Sequence, residues 1–120
     1  MDLLEVFKDS DDLHEFAAED LIFAEGIEGN CMYVVIEGEV DISLHGRLLA
    51  TALPGEIVGE MALINSEIRS ATVVAKTDCL LALIDQSSFE SLIEHVPDFT
   101  RHVMTVLARR LKIAFEMIER

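Results

Sequence analysis

The chain has 120 residues, enough for one domain with a substantial core, and 51% of them are apolar. Its formal net charge of −14 argues against a nucleic-acid partner, its apolar runs are far shorter than a membrane span, and Met1 is followed by Asp2 rather than by a basic and then apolar leader, so a cytoplasmic protein without membrane or DNA contacts is expected. Cys31 and Cys79 make neither a close pair nor a zinc pattern and read as buried small apolar residues.

Asp2 to Lys8 predicts a short helix, too short to persist unless it docks. Thirteen of the 23 acidic residues fall within the first 41 positions and read as a solvated face. Leu13–Phe16 and Leu21–Phe23 alternate as strands, and Gly26 to Asn30 is a turn. Met32 to Ile36 is almost continuously apolar, which predicts a central strand buried on both faces. Val40–Leu44 and Arg47–Leu53 form a hairpin candidate through His45-Gly46, and Pro54-Gly55 turns the chain again. Two further strands, Ala71–Ala75 and Cys79–Ile84, flank Lys76 to Asp78.

All six glycines lie between positions 26 and 59, so the remainder is predicted to end in helices. Ser87 or Ser88 is placed to cap one helix to about His95, Pro97 interrupts it, and Asp98 is placed to cap a second one running to the end. Residues 1–120 thus read as one domain, with a β roll over about 12–85 and helices over about 86–119. In the last helix Phe99, Val103, Val106, Leu107, Leu111, Ala114, Met117 and Ile118 recur at helical spacing, and Met104, Ile113 and Phe115 widen the stripe beyond one face. Such a helix is either buried wholly against its own domain or shared between the roll and a second copy. Arg101, Arg109, Arg110, Lys112 and Arg120 supply five of the nine basic residues here, read as solvation and pairing with the acidic roll; no helix-turn-helix accompanies them.

The stretch from Gly59 to Val73 carries the chemistry. Gly59 permits close backbone approach, and the first amides of a short turn over Glu60–Ile64 lack intrahelical partners, which suits an anion. In so acidic a chain, attraction for an anion has to come from a few groups at short range, and Arg69 is the obvious one, with Ser70 adding a hydroxyl. The Glu60 carboxylate accepts hydrogen bonds and suits a sugar hydroxyl. Read without its neighbours, Arg69 is more readily a salt-bridge partner, with Glu67 at hand, than a ligand clamp, and the cassette spacing reverses that order.

This run resembles the phosphate-binding cassette of the cyclic nucleotide-binding domain family, of catabolite activator and protein kinase A regulatory subunit type. Ile22-Phe23-Ala24-Glu25-Gly26, Met32-Tyr33-Val34-Val35, Glu37-Gly38-Glu39-Val40 and Pro54-Gly55-Glu56 keep the family's order and spacing. The resemblance implies an α+β fold: an antiparallel, jelly-roll-like β roll (a double-stranded β-helix) with a short cassette helix and C-terminal helices. It also implies a ligand, a cyclic purine nucleotide, with its phosphate on Arg69, Ser70 and the Ala62 amide, within a cassette that includes Gly59 and Met61, and its ribose on Glu60. Val58 replaces the family's usual aromatic residue and Ile68 its frequent proline, changes of shape more than chemistry.

In bacterial members, polar residues just after an Arg-Leu pair meet the purine. Here Arg110-Leu111 leads to Ala114 and Phe115, so that polar contact is absent, and Phe115 is either an apolar lid on the base or a core or dimer-interface side chain. Ser70, where cGMP binders often carry threonine, favours cAMP, with cGMP the second choice. A cupin enzyme would share the roll, but His14, His45, His95 and His102 lack ligand spacing, and no catalytic motif, metal or cofactor is expected. The expected function is that of a cyclic nucleotide sensor, homodimeric through its last helix and reporting to an unknown effector protein because no output domain follows within the sequence. The alternative is a degenerate member that keeps the fold as an interaction module and binds no nucleotide.

Overall fold

Period-two alternation explains how Met32–Ile36 is buried on two sides at once. Met32, Val34 and Ile36 project toward the helices, while Val35 projects between the sheets. The computed structural model describes residues 1–66 and 68–118. It opens with α1 (Leu3–Phe7) and continues with β1 (Leu13–Phe16), β2 (Leu21–Phe23), β3 (Cys31–Glu37), β4 (Val40–Leu44), β5 (Arg47–Ala52) and β6 (Ile57–Val58). A single π-helical turn over Ala62–Ser66 follows, then β7 (Thr72–Ala75), β8 (Cys79–Asp85), α2 (Gln86–His95) and α3 (Pro97–Ile118).

The strands form two four-stranded antiparallel sheets, in the orders β1-β8-β3-β6 and β2-β7-β4-β5. This is the expected β roll. In the first sheet Val34 stands opposite Ala82, and both belong to the core under the helices, with Ile84, Phe89, Phe99, Val103 and Val106. A second core lies between the sheets and includes Val35, Val40, Val58, Val73 and Leu81. Each fully buried Val, Leu or Ile contributes roughly 1.5–3 kcal/mol relative to exposure, so both layers are needed at this chain length. The brief strand β6 divides its two side chains between the layers, Ile57 under the helices and Val58 inside the roll, and thereby fixes where Gly59 emerges.

The first helix persists because it docks: Leu3 is buried against the helix-side core. At the other end, the Phe89 and Phe99 rings meet edge to face at 5.9 Å and join α2 to α3. Only the first half of α3 is buried, through Phe99, Val103 and Val106; Met104, Leu111, Phe115 and Ile118 stay exposed.

Three local expectations are corrected. The cassette turn is π-helical and starts at Ala62, with the Leu63 and Ile64 N–H groups both donating to the Glu60 carbonyl, at 3.1 and 3.2 Å. The Leu63 carbonyl accepts instead from the Gln86 side chain at 3.3 Å, which ties the turn to α2. The cap of α2 is Asp85, neither Ser87 nor Ser88: β8 runs extended to Asp85, whose carboxylate accepts from the Ser88 N–H at 2.8 Å. The second helix starts two residues earlier than an Asp98 cap requires, at Pro97, whose fixed φ and missing N–H suit a first helical position, so Asp98 lies in its first turn rather than capping it.

The Ser88 N–H holds the Asp85 carboxyl below its ordinary pKa. A depressed carboxyl contributes stability that is present above its unfolded value, about 4, and lost as pH falls through the folded value. Urea denaturation of wild type and Asp85→Ala should therefore show a stability gap that is full at pH 7 and closes below about pH 4.

Candidate functional site

Arg69 is fixed from its main chain outward. Its N–H donates to the Ile27 carbonyl at 2.8 Å and its carbonyl accepts from the Gly26 N–H at 2.9 Å, so the Gly26–Asn30 turn holds it like a bracket. Arg69 is buried, 6% exposed as a residue, yet it lies on a cavity wall. Its Nη1 donates to the carbonyls of Cys31, at 2.6 Å, and Gly59, at 3.1 Å, and its Nη2 lies 3.4 Å from the Cys31 Sγ. The Phe23 ring lies under it, 4.0 Å from guanidinium carbon to ring centroid, a cation–π geometry. Among the described residues no carboxylate pairs with Arg69; Glu67, the partner considered from sequence, lies outside them.

Two glycines make room for this arrangement. A Cβ at Gly29 would overlap the guanidinium, and one at Gly59, where φ is +85°, would lie 2.7 Å from Arg69 Nη1 and 3.2 Å from the Phe23 ring. Burial holds the nearby Tyr33 phenol up to about 12, with the Cys31 thiol adding to the shift and Arg69 opposing it, so Tyr33 stays neutral.

Glu60 is the second buried charge, at 2% exposure. Its Oε1 accepts from Arg110 Nη1 at 2.7 Å, and Arg110 Nη2 donates to the Ile57 carbonyl. The cavity has a volume of about 470 Å³, and Gly59, Glu60, Met61, Ala62, Arg69 and Ser70 all line it. From α3, Leu107, Arg110 and Leu111 reach its wall; Phe115 lies outside the lining and is exposed. The cavity wall thus carries two guanidiniums, of which Arg110 is paired with the one carboxylate, Glu60, and the rest of it is mostly apolar.

Sequence reasoning missed Phe23, Gly29 and Cys31 as supports of Arg69, and took Arg110 for a solvated or surface-paired charge. Gly29 was visible only as a turn residue. The signal for Arg110 was its place beside Leu111, although its partner is 50 positions away.

A family model, the cyclic nucleotide-binding domain, matches residues 13–96. The chain belongs to the cyclic nucleotide-binding domain family. This domain is 33% identical over 101 residues to the Pycsar effector protein XpPycTIR of Xanthomonas perforans, a match covering 83% of the chain and 33% of that protein. The structure of the Thermus thermophilus catabolite activator protein superposes with a TM-score of 0.77 at 31% identity, over 90% of this chain and 53% of that one. An EAL enzyme in cAMP-bound and cGMP-bound forms superposes with TM-scores of 0.66 and 0.69, at 31% identity, over 90% and 88% of the chain and 30% of the enzyme. The chain therefore spans between 30% and 53% of the length of these relatives.

Among the described residues, no cluster of His, Cys, Asp or Glu is placed to hold a metal, and no helix is long and apolar enough to cross a membrane. His14 and His45 pair instead with Asp12, at 2.7 Å, and Glu25, at 3.2 Å.

Gly29 has no positive φ, so its need for glycine is steric alone. Gly29→Ala should destabilise the cyclic nucleotide-binding domain by about 1–3 kcal/mol in urea denaturation, the usual cost of overpacking, while Gly46→Ala, facing open space at φ +78°, tests backbone strain alone.

Proposed function

We propose that this domain is a cyclic nucleotide sensor, with cAMP as its ligand and cGMP as the second candidate, and that it acts by binding. The observation that carries this reading is Arg69: a nearly buried guanidinium on a cavity wall, held by two carbonyls and an aromatic face rather than by a carboxylate among the described residues. Burying a charge is costly unless it is compensated, and a phosphate entering the cavity supplies the compensation. In this reading the cyclic phosphate meets Arg69, Ser70 and the backbone from Gly59 through Met61 to Ala62, and a ribose hydroxyl meets Glu60. One Glu60 oxygen is bonded to Arg110, and a carboxylate has about four acceptor sites, so the ribose has room on the other oxygen.

The same ion pair supplies a route for the signal. Arg110 belongs to α3 and Glu60 to the cassette, so a ligand on Glu60 shifts whichever placement of α3 keeps both contacts. We further propose that the exposed apolar residues Met104, Leu111 and Phe115 pair α3 with that of a second copy, and that an effector protein reads the helix. Phe115, off the cavity wall, serves this reading as an interface side chain rather than as a lid on the base.

Calorimetric titration with cAMP and cGMP tests the site. Arg69→Ala should lose about 2–5 kcal/mol of binding, and Arg69→Lys should recover little, because a lysine cannot hold both carbonyls and the ligand as the guanidinium fork does. Absence of heat and of thermal stabilisation with both nucleotides in wild type would favour the interaction-module alternative. Sedimentation should give twice the 13.4 kDa chain mass, and Phe115→Glu should return it to one chain.

A further inference from the structure

Among the described residues, the polar side chains on the cavity wall are Glu60, Arg69, Ser70 and Arg110. On the reading above, all four are committed, Arg69 and Ser70 to the phosphate, Glu60 to the ribose and Arg110 to Glu60 and the Ile57 carbonyl. The wall left for the base is aliphatic and includes Ile42, Leu44, Leu49, Val73, Leu107 and Leu111. Part of its backbone is committed too, although Leu49, at the bulge opposite Ile42 and Ser43, has no register partner. Ile42 is paired with Val73 on one side and Ala50 on the other, and Leu107 and Leu111 lie inside α3.

Resting on the cyclic nucleotide reading, we propose that this pocket selects its base by exclusion. The aliphatic wall accepts the apolar face of a purine, offers its edge no hydrogen bond, and so prefers adenine to guanine through the cost of leaving edge groups unpaired. Guanine carries a carbonyl, a ring N–H and an exocyclic amine on the edge where adenine carries one exocyclic amine and a ring nitrogen. Each donor or acceptor taken from water without a partner is penalised, so guanine loses more on entry. A site that hydrogen-bonds a ligand group rejects the analogue lacking it by orders of magnitude, whereas an apolar wall does not. The adenine amine is therefore a passenger here, and removing it should leave affinity intact.

Competition calorimetry on the wild-type chain, with cAMP, cGMP and the 3′,5′-cyclic phosphate of purine riboside, which has hydrogen in place of the amine, tests this directly. The purine riboside ligand should bind within about threefold of cAMP or more tightly, and cGMP should bind at least about tenfold more weakly. A loss beyond threefold for the amine-free ligand would reveal a hydrogen bond to the base and overturn the proposal, as would cGMP binding as well as cAMP. Binding by none of the three would remove the nucleotide reading itself, and equal binding by Arg69→Ala would place the ligand elsewhere on the chain.

Discussion

The structure depends on the burial of one guanidinium. Arg69 is taken out of water and held by the carbonyls of Cys31 and Gly59 and the face of Phe23. Main-chain carbonyls can orient a cation but carry no net charge to neutralise it, and among the described residues no carboxylate takes that part. Gly29 leaves space for the side chain, Gly59 bends away from it, and the Gly26–Asn30 turn clamps its main chain. Several elements separated in sequence are thus arranged around one side chain, as expected where local stability yields to a binding task.

The second buried charge is arranged differently. Glu60 has a cationic partner, and that partner comes from the C-terminal helix. A two-residue strand whose side chains enter separate cores sets the position of the cassette, the Gln86 side chain ties its turn to α2, and Arg110 ties it to α3. Three elements with their own packing therefore converge on a few residues, and a ligand contact there bears on all of them. The first half of α3 is anchored by Phe99, Val103 and Val106, whereas beyond Leu107 Arg110 links it to the cassette, Ile113, Ala114 and Met117 are half-buried, and Leu111, Phe115 and Ile118 are exposed. A helix anchored at one end and polar-linked in the middle is suited to change its angle at modest cost.

Much of the fold was legible in local pattern. The alternation of Met32–Ile36, the confinement of glycine to positions 26–59 and the apolar stripe after Pro97 each report a periodicity or backbone requirement written in neighbouring residues. The order of glycine, carboxylate and arginine from Gly59 to Arg69 was legible for the same reason, since one short segment carries two of the candidate site's three charges.

Tertiary structure decided the rest. That Phe23 lies under Arg69, that Gly29 leaves room for it, and that Arg110 meets Glu60 across 50 positions are facts of strand order and helix placement, and no spacing rule encodes them. Asp85 took the cap from Ser87 and Ser88 because the length of β8 is set by its pairing with β3, where Asp85 stands opposite Cys31. Phe115, for which sequence left lid and interface both open, is exposed and off the cavity because α3 presents Leu107, Arg110 and Leu111 there instead. Sequence by itself determined which segments form strands and helices and that Glu60 and Arg69 stand close together in the chain; only the packed chain determined what surrounds those charges, because burial and pairing are properties of contacts between distant segments.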